Sequence, residues 1–301
     1  ALSSQALCML LMGLSHTLWV FVLLYGVRGV VNGMAHATLN AFFAPRISAR
    51  HLMNVHGGWG LGTATAGLLA GTLMASGWPW FFTYLIGAGV SGVAALWVCR
   101  SATRLGHLPA QAALEGLPSS MLRGPVIALI LGSAIYVGLE QGVGNWLSTV
   151  VVNIGGVQLG TAGAMTATFW GGLTVGRFVL NRLPGSEAQV LKWSALSVFG
   201  LLLGFMWLPI LGQWIVIGLV GLSMAPIAPF VLTVVSRAVP SHRRDAVMAW
   251  QILGFSVGAA TVPALYGVVA DAFTLSAVPI AFAVSAALLL GLFWPNLKRV
   301  H

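Results

Sequence analysis

Ten largely apolar stretches follow one another along the chain, at about 2–15, 18–44, 52–75, 79–99, 124–151, 157–181, 189–209, 212–236, 246–270 and 275–295. Crossing roughly 30 Å of hydrocarbon takes about 20 such residues in a helix, so each stretch predicts a membrane-spanning helix, the first of them short. Turn-forming residues lie between the stretches: Ser15-His16-Thr17, Gly77-Trp78-Pro79, Asn153-Ile154-Gly155-Gly156, Pro184-Gly185-Ser186, Pro209 and Pro240-Ser241. The fold class predicted is an all-α membrane protein.

Small residues repeat within this pattern. The third stretch carries Gly62, Gly67 and Gly71, and the ninth carries Gly258, Pro263 and Gly267 at the same spacing. Each follows a basic loop (Pro45 to Arg50, and Pro240 to Arg244) and a stretch with a small-residue centre, at Gly33-Met34-Ala35 and at Gly221 to Ala225. Small residues let membrane helices approach closely, and two matched sets in matched positions predict a parallel internal repeat. Pairing the third and fourth stretches with the ninth and tenth leaves the fifth and sixth without partners. The expectation is four helices in residues 1–99, a linker at 100–123 and six helices in 124–301, with two further helices preceding the chain.

Composition sharpens the class. Of 301 residues 58% are hydrophobic and 6% charged, against about 25% charged in an average soluble domain. Fourteen Lys and Arg stand against five Asp and Glu. In a soluble protein that excess would suggest nucleic acid, but here it follows the positive-inside bias of membrane proteins. Counting along the predicted spans puts Arg46, Arg50, Arg100, Arg104, Arg123, Arg177, Arg182, Lys192, Arg237, Arg243, Arg244, Lys298 and Arg299 on one side. That side is expected to be cytoplasmic, with both chain ends there, in the cell (inner or plasma) membrane. Cys8 and Cys99 both lie in apolar stretches and suggest neither a disulfide framework nor a metal site. The chain opens at Ala1 without a signal-peptide pattern, so the expectation is that an upstream segment was removed or that a longer protein precedes it.

Few residues carry chemistry. Glu140 lies near the middle of the fifth stretch with no basic residue within a helical turn. Burying an unpaired carboxylate costs several kcal/mol, and acids inside a membrane mark proton or ion pathways. The expectation is a proton-holding carboxyl on such a pathway, the plainer reading being an interhelical hydrogen bond. Gln141 and Asn145, four apart, share a face beside Trp146, a combination suited to a polar solute or to interhelical bonding. His36 and Asn40 form a second i, i+4 pair with Arg28 two turns earlier, and these either line a cavity or pack. Asn54 and His56 stand nearer the basic end of their helix, where gating or packing is expected. Trp170 is a candidate cavity residue. No nucleophile triad, metal cluster or phosphate loop is seen, so no cofactor, no enzyme activity and no ATP-driven pump is expected.

Four passages resemble one family. Tyr136-Val137-Gly138-Leu139-Glu140-Gln141-Gly142-Val143-Gly144-Asn145-Trp146 resembles the seventh helix of the major facilitator superfamily, and more narrowly of its fucose permease and sodium-dependent glucose transporter branch. Phe169 to Arg177 resembles the eighth helix and its following loop, Gly33 to Asn40 the fourth, and His56 to Gly62 the start of the fifth. The resemblance runs over essentially the whole chain as helices three to twelve of a twelve-helix bundle. It departs from the family in the first two helices and the Gly-Asp-Arg loop, and in the spacing of Arg28 to the glycines. The third stretch also lacks the Gly-Pro pair of proton-antiport exporters. The resemblance implies a latch of Gly176, Arg177 and Arg182 at the cytoplasmic face, with Asp245 in a matching charge cluster.

Together these readings predict a monomeric secondary transporter of a small polar solute, a sugar among the candidates, coupled to protons or sodium by alternating access. An exporter of amphipathic compounds is the alternative, and a non-transporting membrane fragment or sensor the reading from another class. The expected partners are solute, coupling ion and lipid bilayer, without nucleic acid.

Overall fold

The structure is a computed structural model that describes residues 2–43, 49–101, 124–180, 186–240 and 243–298, and of 36–43, 49–53 and 245 the backbone only. The described residues form eleven α-helices and one short 3-10 turn. The first four are α1 (Leu2–Leu14), α2 (Leu18–Phe43), α3 (Ala49–Ala75) and α4 (Phe81–Ser101). Then come α5 (Pro125–Asn153), α6 (Leu159–Val179), α7 (Glu187–Phe205) and α8 (Ile210–Met224), followed by α9 (Ile227–Arg237), α10 (Arg244–Ala272) and α11 (Val278–Asn296). Every apolar stretch is helical. Among the described residues seven segments are long and apolar enough to cross a membrane, α8 and α9 counting as one. This is a multi-pass membrane protein.

Local sequence explains the punctuation. Gly77 and Gly156 take φ of +81° and +64°, a region open to glycine at little cost, and they end α3 and α5 where turns were expected. The Ser186 hydroxyl accepts the Gln189 amide while the Gln189 side chain accepts that of Ser186, a capping box that starts α7. One expectation is corrected: the single helix over 212–236 is two. Pro226 and Pro229 have no amide hydrogen for the carbonyls of Leu222 and Ala225. The Ala225 amide turns to Leu222 instead, at 3.3 Å, and the helix stops.

The chain forms two compact units, one of Ala1–Ser48 with Leu69–Gln111, the other of Ala49–Leu68 with Ala112–His301. The first part of α3 therefore groups with the later helices, and residues 102–123, most of the expected linker, lie outside the described ones. In the first unit α1 packs on α4, where Gly87 receives the Met9 methyl so closely that a Cβ would sit 2.1 Å from it. Phe21, Trp80 and Tyr84 meet edge to face at 5.5–5.8 Å.

The second unit is built around α5. Here α10 lies so close that a Cβ on Gly258 would meet the Ala134 carbonyl oxygen at 1.9 Å, and one on Gly138 would meet Val262 at 2.4 Å. On α6 and α8, Gly172 faces the Gly218 carbonyl and Gly221 the Phe169 carbonyl, at 2.2 and 2.1 Å on the same measure. Such backbone contact is what small residues permit between membrane helices, and it brings the polar side chains of α5, α6 and α8 together.

Candidate functional site

Tyr136 and Glu140 are four residues apart on α5 and so share a face. Both are buried, with 0% and 4% of their surface exposed. The turn at Ile154 to Gln158 folds α6 back antiparallel. Arg177 lies about 27 Å along α6 from its start, and Glu140 about 20 Å from the end of α5. Helix side chains lean toward the helix N-terminus, so the long Arg177 side chain reaches back over that offset of about 7 Å. One terminal nitrogen ends 3.6 Å from Oε2 of Glu140.

That distance is an electrostatic contact, longer than a hydrogen bond. The hydrogen bond of Arg177 goes elsewhere, to the His56 carbonyl at 2.9 Å. Its guanidinium also lies 5.7 Å from the centroid of the Trp59 ring, a cation–π contact, and Trp59 stands edge-on to Trp170 at 5.1 Å. On the other side of Glu140, the Tyr136 hydroxyl is in hydrogen-bonding range of two oxygens. One is the same Oε2; the other, at 3.1 Å, is the carbonyl of Met224, the last residue of α8. Side chains of α5 and α6 thus meet at the carboxyl, with α8 reached through Tyr136 and α3 through Arg177.

One expectation is corrected here. Glu140 does have a cation beside it, supplied by the next helix and not by its own. Arg177, expected in a latch at the cytoplasmic face, is 3% exposed. Gly176 beside it packs α6 onto α8, because a Cβ there would meet that of Ala225 at 2.4 Å.

The other candidates are distributed as follows. Gln141 is half-buried and Asn145 exposed, and neither amide is hydrogen-bonded among the described residues, so both are open to a ligand. Trp146 is not: its indole donates to the Pro263 carbonyl at 3.0 Å. Trp170, expected along a cavity, is buried and packs against Phe169 and Trp59. Arg28 is half-buried, with Nε buried and unpaired among the described residues. The side chains of His36, Asn40 and Asp245, and the whole of Arg182, lie outside the described residues.

The sequence reading passed over three contributors. Tyr136, one turn before Glu140 on its own face, was legible. Trp59 becomes a cation partner only through α6. Gln251 is fully buried on α10, donates to the Ser133 hydroxyl at 3.2 Å and leaves its own carbonyl oxygen unpaired; no spacing announces it. A separate groove of about 440 Å³ lies where α6 ends against α7 and α8, lined by Gln189, Trp193, Ser194, Ser197 and Ser223 among others. Among the described residues no three His, Cys, Asp or Glu side chains gather as metal ligands would.

No family model matches the chain, and no curated protein does. Solved structures do. A variant of the E. coli fucose:proton symporter superposes with a TM-score of 0.54 at 18% identity, over 74% of this chain and 57% of that one. A major facilitator superfamily transporter, FucP, in the outward conformation gives 0.50 at 17%, over 73% and 54%. A bacterial homologue of the human lysosomal transporter Spinster, inward-facing and occupied, gives 0.66 at 14%, over 100% and 81%. The chain spans just over half the length of the two symporter structures, and it has the fold of these transporters.

Proposed function

We propose that the chain is a major facilitator transporter that moves a small polar solute by alternating access, coupled to an ion, with Glu140 as the coupling carboxyl. The observation that carries this reading is the buried Glu140, with Arg177 on one side and Tyr136 on the other. An acid inside a membrane helix marks an ion pathway by default. This one has partners in each protonation state: when ionised it faces the Arg177 cation and accepts from Tyr136, and when protonated it donates to Tyr136. An ion shifts a conformational equilibrium only through different affinities for the two states, and a carboxyl with partners in each protonation state can supply that difference.

The open amides of Gln141 and Asn145 stand next along α5, where hydroxyls of a solute would find donors and acceptors. A sugar fits that chemistry, and the fold shared with a fucose:proton symporter supports it. Proton coupling fits Glu140 directly, with sodium as the other candidate. The basic residues in the loops after α2, α4, α6 and α9 support a cytoplasmic position for those loops, in the inner or plasma membrane, under the positive-inside bias.

The test is uphill uptake against counterflow in proteoliposomes, with a panel of sugars under an imposed proton or sodium gradient. Glu140→Gln keeps a neutral, hydrogen-bonding side chain, so counterflow should persist and gradient-driven accumulation should be lost. Accumulation equal to that of the parent would make Glu140 a packing residue and end this reading. Under sodium coupling, the variant should lose sodium stimulation while its pH dependence stays flat.

A further inference from the structure

Oε2 of Glu140, the Tyr136 hydroxyl and the Met224 carbonyl lie in a row of three oxygens with two contacts between them. Two contacts need two O–H donors. Tyrosine brings one proton and a peptide carbonyl brings none, so the row is complete when Glu140 supplies the other. Glu140 then donates to Tyr136, and Tyr136 donates to Met224. When Glu140 is ionised it can only accept, the tyrosine proton turns to it, and the Met224 carbonyl loses this donor. Arg177 keeps the His56 carbonyl and the Trp59 ring in both states and the carboxylate in one, while its Nε is buried and unpaired among the described residues.

We infer that Tyr136 is a hydrogen-bond relay whose direction Glu140 sets, tying the break between α8 and α9 to α5 when Glu140 holds a proton and releasing it when the proton leaves. The break is where such a tie matters. Pro226 and Pro229 have already removed two amide donors from that backbone, and the Tyr136 hydroxyl is a donor that reaches it from α5. Among the described residues, the charged or titratable groups about Glu140 are Tyr136 on α5, Arg177 on α6 and, behind Arg177, His56 on α3. On α10, Tyr266 lies against Gly142 with its hydroxyl bonded to Ser285. From α8, α9 and α11 no titratable side chain reaches Glu140. Tyr136 is a positioning residue, acting through Glu140 and a backbone carbonyl.

The inference rests on the proton-coupling reading of Glu140, and its test separates the two. Amide hydrogen exchange over residues 222–230 is measured in lipid nanodiscs between about pH 5 and pH 9 and corrected for intrinsic exchange. The parent should lose protection in one step as pH rises, by about three- to tenfold, the worth of one hydrogen bond. Tyr136→Phe should be flat at the unprotected, high-pH level. Glu140→Gln should be flat at the protected level, because its amide donates to Tyr136 as the protonated acid does. The opposite signs of two conservative variants leave no room for a general loosening of the fold. A parent without the step, or a step that survives in Tyr136→Phe, overturns the relay. If Glu140→Gln loses accumulation in proteoliposomes while the exchange step is absent, coupling stands and the relay falls. A step together with undiminished accumulation in Glu140→Gln leaves the relay standing and removes coupling.

Discussion

The two copies of the small-residue repeat have different surroundings. In the later copy, Gly258 on α10 and Gly221 on α8 are pressed against backbone, so that a Cβ would lie 1.9 and 2.1 Å from carbonyl oxygens. In the earlier copy, Gly62 on α3 and Gly33 on α2 have nothing within 4 Å of where a Cβ would be. Within its membrane-crossing stretch none of α2 is buried, while 44% of that of its counterpart, α8 with α9, is. The same spacing therefore confers only a capacity for close approach. A facing helix with its own small residues, as α5 has in Ala134 and Gly138, turns that capacity into contact.

The sharpest break of this comparison is to fill the glycines. Gly258→Val should cost about 3 kcal/mol or more, because over-packing costs 1–3 where side chains can shift and here the obstruction is backbone. Gly62→Val should stay within about 0.5 kcal/mol, as substitutions into open space do. Thermal unfolding in one detergent compares them, and equal losses would mean that the tight copy is not what holds the second unit.

Next is charge. Arg177→Ala removes the cation from a buried acid and should cost about 3 kcal/mol, as breaking a buried pair does. Adding Glu140→Gln to it should recover a large part of that loss. A double variant no more stable than the single one would argue that Arg177 acts through His56 and Trp59 alone. The smallest effect is expected at Glu187 and Arg237, paired at 2.8 Å but with the arginine 64% exposed. Arg237→Ala should cost below about 1 kcal/mol and less still in high salt. A larger, salt-independent loss would place the link between α7 and α9 among the main supports of the unit.

Elements were legible where one stretch of chain decides them. Continuous apolar runs placed the helices, and Gly77 and Gly156 marked turns that need positive φ. The break at Pro226 was missed because its segment is apolar throughout, so hydropathy runs on across a place where amide donors run out. Glu140 was legible as an outlier in an apolar helix, but its cation was sought on α5 and comes from α6. Counting residues outward from the turn at Gly156 would have brought Arg177 within a side chain's length. Gln251 and Ser133 lie 118 residues apart, and a contact of that kind belongs to the packing of α10 on α5, which no local pattern specifies.

The contact of α10 with α5 also constrains how the molecule can move. Where side chains interlock, a helix pair absorbs small displacements by changing rotamers. At Gly258, Ala134 and Gly138 there are almost no torsions to change, and Trp146, about two turns further along α5, pins the same two helices through the Pro263 carbonyl. In kinematic terms α5 and α10 are expected to move as one lever at this contact. The Tyr136 bond to the Met224 carbonyl links that lever to the break between α8 and α9.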